Sequence, residues 1–171
     1  FACRDPERSA KLGRLADIVD DARENGHKVV VFSFFLDVLD AVRELVGAAA
    51  HGPLTGATSP IERQALVDRF SAVEGHAVLV SQIQAGGVGL NVQAASVVVL
   101  TEPQWKPSTE EQAIARCHRM GQTRVVQVHR LLAERSVDSL LLDVVRRKAA
   151  LFDDYARESE LKEASADAVD A

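Results

Sequence analysis

Two short apolar runs decide the fold: Ala77-Val78-Leu79-Val80-Ser81 and Ser96-Val97-Val98-Val99-Leu100-Thr101. Neither run alternates polar with apolar side chains. Continuous runs of Val and Leu are typical of strands that are buried on both faces of a parallel sheet. The two runs therefore predict neighbouring elements of an α/β domain, in which helices cover both faces of the sheet.

Strands and helices alternate along the rest of the chain. Helical spacing of apolar residues predicts the helices, and turn residues bound them. In chain order, the other expected elements are a helix over 12–25, a strand over 27–32, a helix over 36–47, a short strand near Thr55-Gly56, a helix over 59–70, a helix over 108–121, a strand over 125–131 and a long helix from Ser136. This alternation predicts an α/β fold with a doubly wound sheet.

Two capping boxes indicate where helices begin. Ser59-Pro60-Ile61-Glu62 pairs a serine with a glutamate three residues later and has proline at the first helical position. Ser108-Thr109-Glu110-Glu111 repeats the pairing, and the helix that it predicts carries Gln112, Arg116 and Arg119. Residues three apart share a helix face, so the two arginines are expected to project toward one point.

Composition and charge limit the classes of function. The chain has 171 residues, of which 47% are hydrophobic and 26% charged, as in soluble globular domains. Its apolar runs are far shorter than the roughly 20 residues that span a bilayer, so no membrane partner is expected. Cys3 and Cys117 have no second Cys or His at ligand spacing, which predicts neither a disulfide framework nor a metal site. We expect a cytoplasmic location, nucleoid-associated in a bacterium, with a nuclear one left open.

The net charge of −5 argues against a surface coated with basic residues. The stretch 116–130 nevertheless contains four arginines, two histidines and no acid. A guanidinium is planar, permanently charged and able to bind two oxygens at once, which suits a phosphoryl group in transfer. The stretch is therefore a candidate phosphate site, although an Arg-x-x-Arg pair by itself is more often a solvated helix face.

A glycine-rich loop follows the first of the two apolar runs. The segment 81–91 contains Gly86, Gly87 and Gly89, and glycine lets backbone N–H groups approach phosphate oxygens closely. A plain turn is the alternative. The spacing does not fit the dinucleotide pattern G-x-G-x-x-G, and no G-x-x-x-x-G-K-[ST] loop occurs in the chain. A Rossmann-type cofactor enzyme is therefore disfavoured, and the main triphosphate cradle is not in this polypeptide.

Together these motifs resemble the C-terminal lobe of Swi/Snf-type DNA translocases. The resemblance covers about residues 9–152 and rests on Lys11 to Leu15, Lys28 to Ser33, Leu54 to Thr58 with Arg63, Ser81 to Asn91, Gln93 to Ala95, Pro103 to Pro107 and Gln112 to Gln122. It implies a RecA-like parallel sheet flanked by helices, with a long C-terminal helix. It also implies that ATP is shared with a first lobe of the full-length chain, which would hold Mg²⁺.

The resemblance further implies roles for individual residues. Arg116 and Arg119 resemble the family's arginine fingers, and Gln112, Gly87 and Gly89 its other nucleotide contacts. Contacts with double-stranded DNA, free or in a protein–DNA complex, are implied for Ser33, Thr55, Gly56, Ser81, Gly86, Trp105 and Lys106.

Several alternatives remain open beside these roles. Lys106 departs from the family's Trp-Asn-Pro pattern and adds a charge beside Trp105. A tryptophan packed on the sheet edge, and capping or turn roles for Ser33 and Thr55-Gly56, are equal alternatives. A module that binds DNA or protein without catalysis is the alternative function.

The expected organisation has four parts. A linker over 1–8 leads into the RecA-like second motor lobe over 9–135. A helix over 136–157 resembles the family's brace segment, with a plain amphipathic helix as the alternative, and 158–171 forms an acidic tail.

Overall fold

Five parallel strands form a single sheet in the computed structural model, which describes residues 9–85, 91–134, 136–145 and 147–148. The strands are β1 (Val29–Ser33), β2 (Ala50–Leu54), β3 (Val78–Gln82), β4 (Val97–Leu100) and β5 (Gln127–Arg130). Their order across the sheet is β2-β3-β1-β4-β5, so β1 is central and pairs with both β3 and β4. The doubly wound α/β fold is confirmed.

Helices connect the strands and cover both faces of the sheet. They are α1 (Ala10–Glu24), α2 (Leu36–Val46), α3 (Pro60–Ala72) and α4 (Pro107–Ala115), with a short 3₁₀ turn at Gly47–Ala49. Residues 137–145 are also helical. None of the helices in the described ranges is long and apolar enough to cross a bilayer.

The central strand is apolar from Val29 to Phe32 because its alternate side chains enter two different cores. Val29 and Val31 pack in a cluster with the buried faces of α1 and α2. Val30 and Phe32 pack in a second cluster that includes Phe70 of α3 and Ala113 of α4. Both faces of β1 therefore need hydrophobic residues, which explains the continuous runs in the sequence.

Gly52 lies in β2 where the neighbouring backbone of β3 leaves no room for a side chain. Its φ angle is +113°, and a Cβ atom at this position would lie 2.4 Å from the carbonyl oxygen of Val80. Only glycine fits both the backbone angle and the space. Strand β2 ends at Leu54, so Thr55-Gly56 forms the turn after the strand rather than part of it.

The start of α3 is predicted correctly. The Ser59 hydroxyl accepts from the Glu62 N–H, the Glu62 carboxylate accepts from the Ser59 N–H, and Pro60 occupies the first helical turn.

The prediction that Ser108 opens a capping box is wrong. Lys106 is the N-cap of α4 and Pro107 its first residue, so Ser108 already lies inside the helix and caps nothing. Proline needs no N–H partner at the first helical position, so it sets the start one residue before Ser108. Glu110, rather than Glu111, reaches back to accept from the Gln104 N–H at 3.1 Å.

The C-terminal helix is described only in part. An ion pair between Lys11 of α1 and Asp138 fastens its first turn to the domain. The expected linker at 1–8, the acidic tail at 158–171 and the portion 149–157 of the brace-like helix lie outside the described residues.

Candidate functional site

The carboxyl ends of the central strands form the edge where the candidate residues gather. Because β1 pairs in parallel with β3 and β4, Ser33 lies beside Gln82 and Phe32 beside Leu100. The loops that follow these strands therefore emerge side by side. Ligands of open parallel sheets bind at this edge.

Arg116 connects the end of α4 with the glycine-rich loop. Its Nη1 donates to the carbonyl of Ile83 at 3.3 Å, just before the loop. Its own carbonyl accepts from the N–H of Val92 at 3.0 Å, just after the loop. The guanidinium carbon lies 6.0 Å from the centre of the Phe32 ring, and burial lowers the pKa of this side chain from its ordinary value.

The prediction that both arginines lie on one α-helix is wrong. Helix α4 ends at Ala115, Arg116 is its C-cap, and Arg119 lies in the irregular turn that follows. The helix ends because other groups bind the carbonyls that would continue it. The Arg116 carbonyl accepts from the Val92 N–H. The Cys117 carbonyl accepts from the Gln122 side chain, and the Met120 carbonyl from the Gln93 side chain. Gln112 remains on α4, and its side chain and that of Arg119 are exposed.

The glycines themselves, Gly86, Gly87 and Gly89, lie outside the described residues, but the segments that flank them are fixed. Before the loop, the Ile83 N–H donates to the Ser33 carbonyl at 2.8 Å. After it, the Gln93 side chain donates to the Met120 carbonyl at 2.8 Å. Gln122 Nε2 donates to the carbonyls of Gln93 and Ala95. Both flanks are thus held against the segment that carries the arginines.

Trp105 and Lys106 are exposed in the loop between β4 and α4. The indole of Trp105 is 71% exposed, so the alternative of a tryptophan packed on the sheet edge is wrong. Lys106 is the N-cap residue of α4 and makes no side-chain cap. An exposed aromatic ring beside a cation is available to a partner molecule.

Ser33 and Ser81 are fully buried, in contrast to Trp105. The Ser33 hydroxyl donates to Glu102 and accepts from the Phe35 N–H, and the Ser81 hydroxyl donates to the Gln82 carbonyl. DNA contacts by these serines stay predictions, and their hydroxyls are already bonded within the protein.

Thr55 and Gly56 form a braced turn at the same edge. The Thr55 N–H donates to the Thr58 hydroxyl, and Arg63 donates to the carbonyls of Gly56 and Thr58. The turn role that the sequence allowed is therefore present. Gly56 is also exposed, but its N–H donates to Gln82 and its carbonyl accepts from Arg63, so a phosphate could bind this N–H only by replacing Gln82.

Two residues that the motifs did not indicate join the loops of this edge. The Gln82 side chain accepts from the Gly56 N–H at 3.2 Å and donates to the Phe34 carbonyl at 3.3 Å. The Glu102 carboxylate accepts from the Phe34 N–H at 2.6 Å. Polar residues at or just beyond the ends of buried parallel strands are the signal that could have indicated both.

Cys117 takes no part in this chemistry. Its thiol is fully buried, and burial raises its pKa to about 12. Cys117 packs in the same core cluster as Val30 and Phe32. Among the described residues, no group of three or more His, Cys, Asp or Glu side chains is placed to hold a metal ion.

Comparisons with known proteins agree on one family. Residues 10–121 match the family described as "Helicase conserved C-terminal domain". The chain is 33% identical over 147 residues to an "Uncharacterized ATP-dependent helicase" of Mycoplasma pneumoniae, which covers 85% of this chain and 14% of that protein. It is 32% identical over 145 residues to "Helicase SWR1" of Saccharomyces cerevisiae, covering 82% of this chain and 9% of the relative.

A plant relative and a solved structure extend the comparison. "Protein CHROMATIN REMODELING 19" of Arabidopsis thaliana is 33% identical over 146 residues, which are 84% of this chain and 19% of that protein. The chain thus spans less than a fifth of each of these relatives. The crystal structure of the C-terminal part of the Fun30 ATPase domain superposes with a TM-score of 0.76 and 26% identity, over 82% of this chain and 46% of that one. The chain has a RecA-like α/β fold, is similar to the C-terminal lobe of Swi/Snf-type ATP-dependent helicases, and belongs to the helicase conserved C-terminal domain family.

Proposed function

We propose that this chain is the second motor lobe of an ATP-dependent double-stranded-DNA translocase. It completes an ATP site together with a first lobe of the full-length protein, which holds the triphosphate and Mg²⁺. Opening and closing of the cleft between the lobes moves the protein along duplex DNA, either free or in a protein–DNA complex. Because movement along duplex DNA requires access to the chromosome, we expect the protein on the nucleoid in the cytoplasm of a bacterium, or in a nucleus.

The observation that carries the proposal is the double attachment of Arg116 to the glycine-rich loop. The side chain binds the carbonyl of Ile83 before the loop, and the main chain binds Val92 after it. A displacement of Arg116 would therefore act on both ends of the loop through these two bonds. If the loop holds DNA phosphates through Gly86 and its neighbours, as we propose, nucleotide and DNA are coupled through one residue.

The chemistry required of Arg116 and Arg119 is charge stabilisation. As the γ-phosphoryl group transfers, negative charge spreads over its oxygens, and guanidinium groups aimed at these oxygens lower the barrier. The partial burial of Arg116 strengthens this effect, because charges interact more strongly where water is excluded. The exposed Arg119 and Gln112 reach the nucleotide only when the first lobe closes, with Gly87 and Gly89 beside them.

The DNA contacts are local and independent of sequence. Thr55, Trp105 and Lys106 offer a hydroxyl, an aromatic ring and a cation at one edge of the sheet, and the Gly56 N–H joins them where a phosphate replaces Gln82. Such groups bind the phosphodiester backbone and do not distinguish bases, so binding weakens steeply with salt. Gly86 completes the proposed interface, and Ser33 and Ser81, whose hydroxyls are bonded within the protein, support it from beneath the surface.

Replacement of the arginines tests the proposal. In the full-length protein with saturating duplex DNA, Arg116→Ala and Arg119→Ala should each lower kcat for ATP hydrolysis by about 10³ to 10⁵, the usual cost of removing an arginine finger. Nucleotide affinity should change less, because the lost interaction belongs to the transition state. Arg119→Lys should restore little, since an ammonium lacks the planar fork. Steady-state ATPase assays with melting curves measure these effects.

Arg124→Ala is the matched control, because it removes an exposed arginine from the same basic stretch. Its kcat should stay within about twofold of the parent. The isolated chain should fold and show no turnover. Folded Arg116 and Arg119 variants with normal kcat, or DNA-stimulated turnover by the isolated chain, would contradict the proposed function.

A further inference from the structure

Glu102 lies directly after β4, and its carboxylate accepts from four donors. Oε1 accepts from the Phe34 N–H at 2.6 Å and from Gln104 Nε2 at 3.2 Å. Oε2 accepts from the Ser33 hydroxyl at 3.0 Å and, in a short bond, from the Thr101 hydroxyl, whose single proton is shared with the Phe32 carbonyl at 3.0 Å. An ionised carboxylate is an acceptor at every lone pair, so it can satisfy all these donors at once.

The contacts of Glu102 join two loops that are far apart in the sequence. Ser33 ends β1 and Phe34 begins the loop between β1 and α2, whereas Glu102 and Gln104 belong to the loop between β4 and α4. Hydrogen bonds to an ionised acceptor are shorter and stronger than those between neutral groups. The carboxylate therefore fixes the position of one loop against the other.

Both backbone polar groups of Phe34 are hydrogen-bonded to side chains of other segments. Its N–H donates to Glu102, and its carbonyl accepts from Gln82, which also binds the N–H of Gly56. The turn after β2, the end of β3 and the loops after β1 and β4 are thus connected through this one residue.

We propose that Glu102 is a positioning residue that holds the β1–α2 loop and the β4–α4 loop in one arrangement, so that both contact the same segment of duplex. The proposal rests on the proposed function, because Trp105 and Lys106 in the second loop are assigned to DNA there. The acid does not touch DNA. Its charge is compensated by the four donors, so it organises the interface without repelling phosphate.

Glu102→Gln tests the proposal in the full-length protein. The amide has nearly the same shape but supplies one acceptor oxygen, and its NH₂ group replaces the oxygen that serves either Phe34 or the two hydroxyls. Loss of a hydrogen bond to a charged group should raise the duplex concentration for half-maximal ATPase stimulation about tenfold. The kcat at saturating duplex should fall less than threefold. A purely structural defect would instead lower kcat and the melting temperature.

Two further variants complete the test. Glu102→Asp keeps the charge and both acceptor oxygens on a side chain that is one methylene shorter, so half-saturation should return to within about threefold of the parent. Glu111→Gln removes the same charge from an exposed position of α4 and should change nothing. Unchanged half-saturation in Glu102→Gln, equal loss in Glu111→Gln, or no recovery in Glu102→Asp would each overturn the proposal. A parent protein without DNA-stimulated ATPase would instead refute the proposed function.

Discussion

At the residue scale, Gly52 and Gly75 separate two reasons for which a fold requires glycine. Both have positive φ angles, +113° and +78°. A Cβ at Gly75 would have no heavy atom within 4 Å, whereas at Gly52 it would lie 2.4 Å from the Val80 carbonyl oxygen. Gly75 therefore needs only the backbone freedom of glycine, whereas Gly52 also needs the lack of a side chain.

Alanine substitutions distinguish these two costs. Gly75→Ala should lower the free energy of unfolding by about 1 kcal/mol, the cost of a left-handed backbone for a residue with a Cβ. Gly52→Ala should lower it by about 3 kcal/mol or more, because β2 must also move away from β3. Chemical denaturation of the two variants measures the difference. Equal losses of unfolding free energy in the two variants would mean that β2 can move away from β3 without destabilising the sheet.

At the scale of single elements, the two serine-to-glutamate patterns have different outcomes. In one, Ser59 precedes Pro60 and caps α3; in the other, Ser108 follows Pro107 and lies inside α4. The order of serine and proline decides between them, because proline sets the first helical position. Local sequence thus contains the information needed to correct the second prediction.

This contrast gives a paired test. Ser59→Ala removes an N-cap hydroxyl and should lower the free energy of unfolding by about 1 kcal/mol. Ser108→Ala removes no cap and should be neutral or slightly stabilising, because alanine is the better helix former. Thermal melts of both variants check this. A loss for Ser108→Ala as large as that for Ser59→Ala would show that Ser108 has a capping role.

The end of α4 and the contacts of Glu102 could not be predicted in the same way. The buried strands follow from local composition, since Val and Leu in unbroken runs suit both faces of a sheet. The irregular turn at Arg119 depends on Val92, Gln93 and Gln122 binding carbonyls of the 116–120 segment. The loop contacts of Glu102 require β1 and β4 to be neighbours. Both depend on strand order, which periodicity does not specify.

At the scale of the whole molecule, histidines on the two edge strands make stability depend on pH. Burial, together with Arg69 and Lys28, lowers the pKa of His51 on β2. Burial and Arg14 lower the pKa of His129 on β5, against a smaller opposing effect of Asp21. Both side chains therefore prefer the neutral form in the folded state.

The free energy of unfolding should consequently fall as the pH drops below about 6.5, because the unfolded chain then binds protons that the folded chain resists. The pKa of Glu62 is also lowered, but the stability that this carboxylate contributes is lost only when the pH falls below the ordinary value of 4.5. Urea denaturation of the isolated chain between pH 7 and pH 5 should show this slope of the free energy of unfolding against pH. The double variant His51→Gln/His129→Gln should reduce it, and an unchanged slope would assign the effect to other groups.

The central position of β1 also determines when the domain can form during synthesis on the ribosome. Both partners of β1 are made later, the first of them beginning at Val78 and the second at Val97. Until Val78 has emerged, the nascent chain exposes four consecutive apolar residues, Val29 to Phe32, with unpaired backbone groups on each side. Such a segment is a target for chaperones and for association with other chains. This lobe must therefore complete its sheet from the middle outward, after most of it has been translated.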